Sequence, residues 1–313
     1  LGAIFGFASV LGPLIGGMLT DYAHWRWIFW INLPLGVVAV ASAVVALQSS
    51  DKREKLYVDW LGIAVMAVAV SALTLIVGLA GTRLAWTSPV VMGLIATCLA
   101  ASVIFVRIEN RVREPIIPMH LFRSRTFTIA TGLGVLAALG MFAAVSYIPT
   151  YMQMVFGVGA TASGYILLPM VVAIAGAGIF SGSHISKTGR YRIFPIVGMA
   201  SIGIGLLLLS TMSARTPAWL IPIYLGVLGV GLGFVLQILV LIVQNDASPE
   251  QVGTATSANN FFREIGATMG VTIVGVIFSD RLRQSLAQLA AGASELSLGS
   301  ADSITTAPVQ GLP

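Results

Sequence analysis

The chain has 313 residues, of which 57% are hydrophobic and only 9% are charged, and its formal net charge is +5. A soluble domain carries about a quarter charged residues, so this composition leaves too little polar surface to cover a soluble fold. The basic residues lie in short loops between apolar segments, without the basic runs interleaved with aromatic residues that are typical of nucleic-acid binding. The composition therefore predicts an all-α, multi-pass membrane protein that contacts the lipid bilayer and binds no nucleic acid.

A membrane-spanning helix needs about 20 mostly apolar residues. In chain order, the segments that meet this requirement are 1–20, 27–47, 58–80, 89–108, 126–154, 161–182, 193–212, 217–243 and 253–279. The breaks between them are short and polar. We therefore expect nine transmembrane helices, followed by an Ala-, Ser- and Gly-rich tail that allows a short amphipathic helix at Arg281–Gly292.

Lys and Arg favour the cytoplasmic loops of membrane proteins. Twelve of the 17 Lys and Arg residues lie in one set of alternate loops and five in the other. This bias places residues 48–57, 109–125 and 183–192 in the cytoplasm and the tail after Asp280 on the opposite side. We expect the protein in the cell membrane, that is, the inner or plasma membrane.

The first apolar segment carries Gly12-Pro13 and Gly16-Gly17 near its centre. In a bilayer such residues are tolerated, because small residues let a neighbouring backbone approach closely. The segment leads into Trp25-Arg26-Trp27-Ile28-Phe29-Trp30-Ile31-Asn32-Leu33-Pro34-Leu35-Gly36. These two patterns resemble the signatures of the fourteen-helix drug:proton antiporter-2 branch of the major facilitator superfamily, G-x-x-x-G-P-x-x-G-G and W-x-W-x-F-x-I-N-x-P-x-G. Ala8 replaces the leading glycine of the first signature.

The resemblance implies the major facilitator superfamily transporter fold, as an incomplete chain that starts at about the fifth helix. Four helices would precede Leu1 and one would follow Pro313. Residues 1–47 would be the last two helices of the N-terminal bundle, and 48–125 two extra linker helices with cytoplasmic loops. Residues 126–280 would be the first five helices of the C-terminal bundle, and 281–313 an extracytoplasmic loop or tail.

The function that the resemblance implies is proton-coupled efflux of drugs or other small amphipathic molecules by alternating access. Its partners would be a small-molecule substrate and protons, and the protein would be a monomer. Two alternatives stay open: a dedicated exporter of one endogenous metabolite or antibiotic, and a truncated chain that is inactive alone. No Asp or Glu lies at the centre of any span, so the proton-coupling residues are expected in helices before Leu1.

We expect no enzymatic activity, because the spans carry no nucleophile–base pair and no metal constellation. Cys98 is the single cysteine, which excludes an internal disulfide and a Cys-based metal site. The three histidines are in loops and lack ligand spacing, so neither a metal nor a cofactor is expected.

The resemblance assigns Gly12, Pro13, Gly16 and Gly17 to a tightly packed helix between the two bundles, where they would control leakage and conformational exchange. The alternative is an ordinary kink caused by the proline. On the first interpretation, residues 8–17 are predicted to pack against residues 164–178. The glycines of the segment 253–279 would pack in a similar way, or reflect only the glycine enrichment of membrane helices.

Tyr147, Tyr151 and Gln153 resemble a family P-x-Y-x-Q pattern at the outer end of a helix that lines the central cavity, and are candidate substrate contacts. The alternative for the tyrosines is the aromatic belt at the membrane surface. Gln237 is a lone amide in mid-span, which is costly in lipid, so it should face protein or a water-filled cavity. It is a candidate substrate contact, and the alternative is a hydrogen bond between helices.

Arg263 and Glu264 are the only charged neighbours placed at membrane depth. Ionisable groups inside a membrane are candidates for function. Mutual pairing or snorkelling to the cytoplasmic surface is the competing interpretation, because both residues lie near the start of the last span.

Overall fold

Helices dominate the part of the chain that the structure describes. The computed structural model describes Gly12 and residues 15–24, 26–46, 59–80, 83–112, 115–213 and 215–297, with side chains as far as Ser285. Residues 15–22 are helical. The helices that follow are α1 (Trp27–Trp30), α2 (Asn32–Ala46), α3 (Trp60–Leu79), α4 (Pro89–Glu109), α5 (Arg125–Phe156), α6 (Ala160–Tyr165), α7 (Leu168–Thr188), α8 (Ile193–Ser210), α9 (Leu220–Asp246) and α10 (Val252–Ser297).

Eight helical stretches of the described chain are long and apolar enough to cross a membrane. They are Trp27–Ala46, Trp60–Leu79, Pro89–Glu109, Arg125–Phe156, Ala160–Thr188, Ile193–Ser210, Leu220–Asp246 and Pro249–Ser285. The spans predicted from residue 27 onward are thus confirmed by length and hydropathy. The span predicted at 1–20 lies mostly outside the described residues.

Local sequence signals explain several helix ends. At the start of α4, the Ser88 hydroxyl accepts a hydrogen bond from the backbone N–H of Val91 (3.3 Å), and Pro89 occupies the first turn. Both residues are favoured there, because the first turn of a helix has N–H groups without intrahelical acceptors. Helix α7 ends at Gly189, whose φ of 67° is left-handed and suits glycine.

Helix α10 corrects one predicted boundary. We expected the last span to end at 279 and residues 281–313 to form a loop or tail that allows a short amphipathic helix at Arg281–Gly292. The structure shows helix there, but as an unbroken continuation of α10 to Ser297. Hydropathy shows where a segment suits lipid, whereas helix continuation depends on backbone propensity. The residues after Asp280 are rich in Ala, Leu, Gln and Arg, and the first glycine among them is Gly292. Residues 298–313 lie outside the described chain.

The chain forms two compact units. Unit 1 comprises Leu1–Asp59, Ile148–Leu209 and Ala218–Ile238, and unit 2 comprises Trp60–Tyr147, Ser210–Pro217 and Leu239–Pro313. The division into bundles and linker helices that the sequence implies stays a prediction.

In unit 1, α9 packs backbone to backbone with two neighbours. A Cβ built on Gly233 would lie 2.7 Å from the Ala177 Cβ of α7, and one on Gly231 would lie 2.8 Å from the Ile202 side chain of α8. Residues two apart on a helix point in nearly opposite directions, so alternate glycines provide two packing faces. Fully buried leucines of α9, including Leu225 and Leu228, fill the space between these close approaches.

In unit 2, α3 and α4 pack through side chains. Ile76, Ala80 and Val91 form a buried cluster there. Helix α10 approaches α5 more closely, since a Cβ on Gly266 or Gly270 would overlap the backbone of Val135 or Leu139, respectively. These glycines of the last span are therefore in specific helix contacts.

Candidate functional site

Only part of the glycine–proline motif lies in the described chain. A Cβ on Gly17 would lie 2.8 Å from the Cα of Thr161, so the backbones meet closely at this point. Among the described residues, nothing lies within 4 Å of the corresponding positions on Gly12 and Gly16. Pro13 lies outside the described residues. Gly17 is thus the motif residue for which the structure describes an interhelical contact.

The contact of Gly17 continues through Asp21. Its carboxylate accepts hydrogen bonds from the backbone N–H groups of Ala160 (3.2 Å) and Thr161 (2.7 Å) at the start of α6. The nearby Thr161 hydroxyl, and then the Thr161 N–H, hold the pKa of the Asp21 carboxyl below its ordinary value of 3.8, with a small opposing effect of desolvation. Asp21 therefore acts as an anionic cap on exposed N–H groups. We did not single it out from the sequence, although an acid directly after an apolar segment was visible there.

The small-residue face of α7 packs against α9, while most of the partner segment predicted for it lies outside the described residues. We predicted that residues 164–178 pack against residues 8–17. In the structure, a Cβ on Gly229 would lie 2.9 Å from the Ala173 Cβ, and Gly233 likewise meets Ile174 and Ala177. This stretch of α7 thus packs against α9, and the contact of Gly17 falls at Thr161, just outside the predicted range. The periodicity of small residues identifies a packing face but not the helix that occupies it.

Tyr147 lies in unit 2 and is tied to α10. Its hydroxyl donates a hydrogen bond to the backbone carbonyl of Val271 (3.1 Å), and its ring lies 5.7 Å from that of Phe278. Gly275 leaves space for the hydroxyl, because a Cβ at that position would overlap it. Tyr147 also lines a cavity of about 480 Å³, which it shares with Arg83 and other residues. This position is consistent with the predicted cavity role, although the hydroxyl already has a protein partner.

Tyr151 and Gln153 lie in unit 1 and have different surroundings. The hydroxyl oxygen of Tyr151 is buried and has no hydrogen-bond partner among the described residues. The Gln153 amide instead donates to the hydroxyl of Ser163 (2.9 Å), which itself donates to the carbonyl of Ala160. Gln153 therefore connects α5 to α6, whereas the Tyr151 hydroxyl has no hydrogen-bond partner in the described part of the chain.

Gln237 is exposed in the middle of α9 and makes no side-chain hydrogen bond within the described part of the chain. An interhelical hydrogen bond, one of the two roles considered, is therefore not present there. An amide in contact with hydrocarbon is costly. A water-filled space is the environment that best suits its exposed position.

Arg263 and Glu264 make a weak pair. Their charged atoms are 3.8 Å apart, and the two side chains are 30% and 64% exposed, respectively. Ion pairs at this separation and exposure contribute about 0–1 kcal/mol to stability. The geometry favours surface pairing over a buried functional site.

Two polar features were not singled out from the sequence. Asn259 and Thr131 are almost completely buried, and the Asn259 amide donates to the Thr131 hydroxyl (3.2 Å) between α10 and α5. Arg83 and Arg283 line the same cavity as Tyr147. The sequence could have drawn attention to these two arginines, because they are among the five basic residues that lie outside the predicted cytoplasmic loops.

The fold defines a multi-pass, α-helical membrane protein with polar side chains distributed among apolar helices. The sequence matches the Major Facilitator Superfamily over residues 1–271, and the chain belongs to this family. The match to this family points to a membrane transporter rather than to an enzyme.

Curated relatives support this assignment. The chain is 42% identical over 286 residues to an uncharacterized MFS-type transporter of Mycobacterium tuberculosis, covering 91% of this chain and 42% of the relative. It is 38% identical over 281 residues to the multidrug transporter protein MdtP of Bacillus subtilis, covering 90% of this chain and 52% of MdtP. It is 33% identical over 276 residues to multidrug resistance protein 3 of Bacillus subtilis, covering 88% of this chain and 54% of that protein. The chain spans about half the length of the curated relatives it matches.

Proposed function

We propose that the protein is a proton-coupled exporter of drugs or other small amphipathic molecules, of the fourteen-helix drug:proton antiporter-2 branch. The observation that carries the proposal is the similarity, over about nine-tenths of the chain, to two Bacillus subtilis proteins whose names describe multidrug transport or resistance. The glycine–proline and tryptophan motifs at residues 12–17 and 25–36 support the same branch. On this basis, the 313 residues correspond to about the fifth to the thirteenth helix of a longer transporter in the cell membrane.

The proposed mechanism is alternating access, in which two helical bundles rock around a substrate site near the middle of the membrane. Tyr151 supplies a buried hydroxyl that has no described partner and can hydrogen-bond a substrate. Gln237 supplies an exposed amide in an otherwise apolar helix. Buried polar groups of this kind contribute specificity in largely apolar ligand sites.

The glycine–proline motif has a separate role in this proposal. Close contact at Gly17 supports a helix that moves as a tightly packed element. Substitution of Gly17 by Leu should impair export but leave membrane insertion largely intact, because a bulky side chain at this contact with Thr161 separates helices that associate by van der Waals packing. Protons would be carried by acidic groups in helices before Leu1.

Export of a fluorescent cationic dye from intact cells that express the full-length protein tests the proposal. Wild-type protein should lower dye accumulation, and an ionophore that dissipates the proton gradient should abolish the effect. Tyr151→Phe should lower the export rate about two- to tenfold, since one hydrogen bond contributes about 0.5–1.5 kcal/mol. Tyr165→Phe is the matched control, because Tyr165 is 49% exposed.

Export that persists without a proton gradient would refute proton coupling. Failure to export any of a broad dye and drug panel, together with intracellular accumulation of one compound in a deletion strain, would favour a dedicated exporter. Equal activity of the Tyr151→Phe and wild-type proteins would remove Tyr151 from the substrate site.

A further inference from the structure

Unit 2 contains an apolar cavity that the transport mechanism does not use. The cavity has a volume of about 330 Å³ and lies between α3, α4, the start of α10 and the 3₁₀ segment Met119–Arg123. We call it the linker cavity, and its walls include Met66, Leu73, Cys98, Phe105, Phe122 and Phe262. This volume falls in the range of about 300–1,000 Å³ that is typical of small-molecule sites.

The linker cavity has few groups with which to recognise a polar ligand. The thiol of Cys98 donates to the carbonyl of Ala69 (3.6 Å), and the hydroxyl of Ser102 donates to the carbonyl of Cys98 (2.8 Å). The other lining side chains are apolar. Sites for drug-like molecules usually add several convergent polar groups to an apolar wall. Hydrocarbon is therefore the chemistry that matches this lining.

The surroundings of the linker cavity also indicate hydrocarbon. Helices α3 and α4 have the length and hydropathy of membrane spans. Apolar residues next to the lining residues are exposed on the same helices, namely Val68 (48%), Val103 (51%) and Ile104 (46%). An apolar cavity excludes water, and unfilled space loses dispersion contacts with its walls. A lipid acyl chain from the bilayer would fill the cavity without placing water against apolar walls and without losing their dispersion contacts.

Positive charge lies beside this hydrocarbon site. Arg107 directly follows the lining residue Val106, and Arg123 directly follows Phe122; both arginines are exposed. Within the described chain, neither arginine has a carboxylate within 4 Å.

Carboxylates near this end have other partners. Glu109 accepts from the Ile117 N–H (3.1 Å), Asp246 accepts from the Ser124 hydroxyl, and Glu264 pairs with Arg263. An anionic group outside the protein is thus the natural partner for the two arginines.

We propose that the linker cavity binds an acyl chain of an anionic phospholipid, whose headgroup contacts Arg107 and Arg123. Arg107 lies in the last turn of α4, and Arg123 lies in the segment 109–125 that the positive-inside bias assigns to the cytoplasm. The lipid therefore belongs to the cytoplasmic leaflet, where anionic headgroups attract basic side chains next to membrane spans. It is a bound component of the protein and not its transported substrate.

Photo-crosslinking of the purified full-length protein in phosphatidylcholine vesicles tests the proposal. The probe is phosphatidylglycerol with a diazirine in one acyl chain, and the comparison is phosphatidylcholine with the same chain. Peptides that carry lining residues should form several times more adduct with phosphatidylglycerol. Arg107→Gln and Arg123→Gln should each reduce this preference about fivefold, as expected for one arginine near an anionic membrane surface.

Two variants that fill the cavity test where the chain lies. Ala69→Phe on α3 and Ser102→Leu on α4 should each reduce adducts on lining peptides, because their parent residues line the cavity. Ala67→Phe is the matched control, since Ala67 is exposed on α3 and does not line the cavity. Elution of each variant as a monodisperse peak in size-exclusion chromatography shows that it is folded. Because the two filling substitutions are on different helices, a local disturbance of one helix cannot explain a loss of adduct in both.

Several results would overturn the proposal. Equal adduct yields for the two lipids, unchanged by both filling variants, would indicate ordinary lipid around the protein. Displacement of the probe by an exported dye would make the linker cavity a substrate site instead. The test is independent of transport, because a Tyr151→Phe variant that exports poorly should still form the phosphatidylglycerol adduct.

Discussion

Helix α9 and the α3–α4 pair are all apolar enough to span a membrane, yet they are buried to different extents. Half of the apolar stretch of α9 is buried, compared with 17% for α3 and 11% for α4. In α9, the backbone at Gly229, Gly231 and Gly233 touches neighbouring helices directly. The α3–α4 contact instead depends on side chains such as Ile76 and Val91, and these two helices border the linker cavity.

The comparison shows that hydropathy does not determine how tightly a membrane helix packs. Lipid tails are as apolar as leucine, so helix association depends on van der Waals contact and interhelical hydrogen bonds. Glycines allow such contact on two faces of α9. At Gly78 of α3 and Gly93 of α4 the described residues make no such close approach. These two helices border a cavity that another hydrocarbon group can occupy.

The largest effect is expected from Gly233→Ala in α9. The new methyl group would lie 2.7 Å from the Ala177 Cβ and 3.0 Å from the Ile174 Cα, so α7 and α9 must separate. Overpacking of this kind costs about 1–3 kcal/mol. Gly226→Ala on the same helix is the control, because no atom of the described part of the chain lies within 4 Å of a Cβ built there. The measurement is thermal unfolding of the full-length protein in detergent, and equal midpoints for the two variants would contradict the role of close glycine packing.

A loss of similar size is expected from Asn259→Leu, which tests a polar contact between closely packed helices. The substitution removes the hydrogen bond to Thr131 and leaves a buried hydroxyl without this donor. We expect a loss of about 1–3 kcal/mol for the single variant. In a double-mutant cycle with Thr131→Val, the coupling should be about 0.6 kcal/mol, the average for hydrogen bonds between membrane helices. Strictly additive single effects would show that the contact contributes nothing to stability.

Asp21→Asn tests a contact at a helix end, where water competes, and we expect a smaller change. The lowered pKa means that folding favours the ionised carboxylate. Its stabilising contact with Ala160 and Thr161 is therefore complete at neutral pH and disappears as the pH falls below the ordinary value of 3.8. Thermal unfolding midpoints of the wild-type protein and the Asp21→Asn variant should differ at pH 7 and converge in strong acid. A difference in unfolding midpoint that increases in acid would contradict a stabilising role of the ionised Asp21 carboxylate.

The smallest effect is expected from Ala69→Val in the α3–α4 region. Ala69 borders the linker cavity, so two added methyl groups enter open space. We expect a change within about 0.5 kcal/mol, in contrast to the loss at Gly233. Ala72→Val on the same helix is the control, because Ala72 is only 4% exposed and the larger side chain must displace its neighbours. Equal destabilisation by the two valines would mean that α3 and α4 are packed as tightly as α9.

The sequence by itself determined the class of the protein and most of its spans. Both properties depend on local composition, because any stretch of about 20 apolar residues avoids water in the same way whatever its neighbours are. The motifs at residues 12–17 and 25–36 also indicated the superfamily that the comparisons show. Tyr147 and Tyr151 were selected through the resemblance of residues 147–153 to a family pattern, which is visible in the sequence alone.

Tertiary structure alone decided which helices meet. The small-residue row of α7 contacts Gly229 and Gly233 of α9, a pairing that its periodicity did not reveal, because a glycine face accepts any helix that presents a matching surface. The pairing of Asn259 with Thr131 joins residues 128 positions apart, beyond the reach of local periodicity. The linker cavity likewise exists only where three helices and a short loop converge. Such features depend on non-local packing, in which the same hydropathy pattern is compatible with many partners.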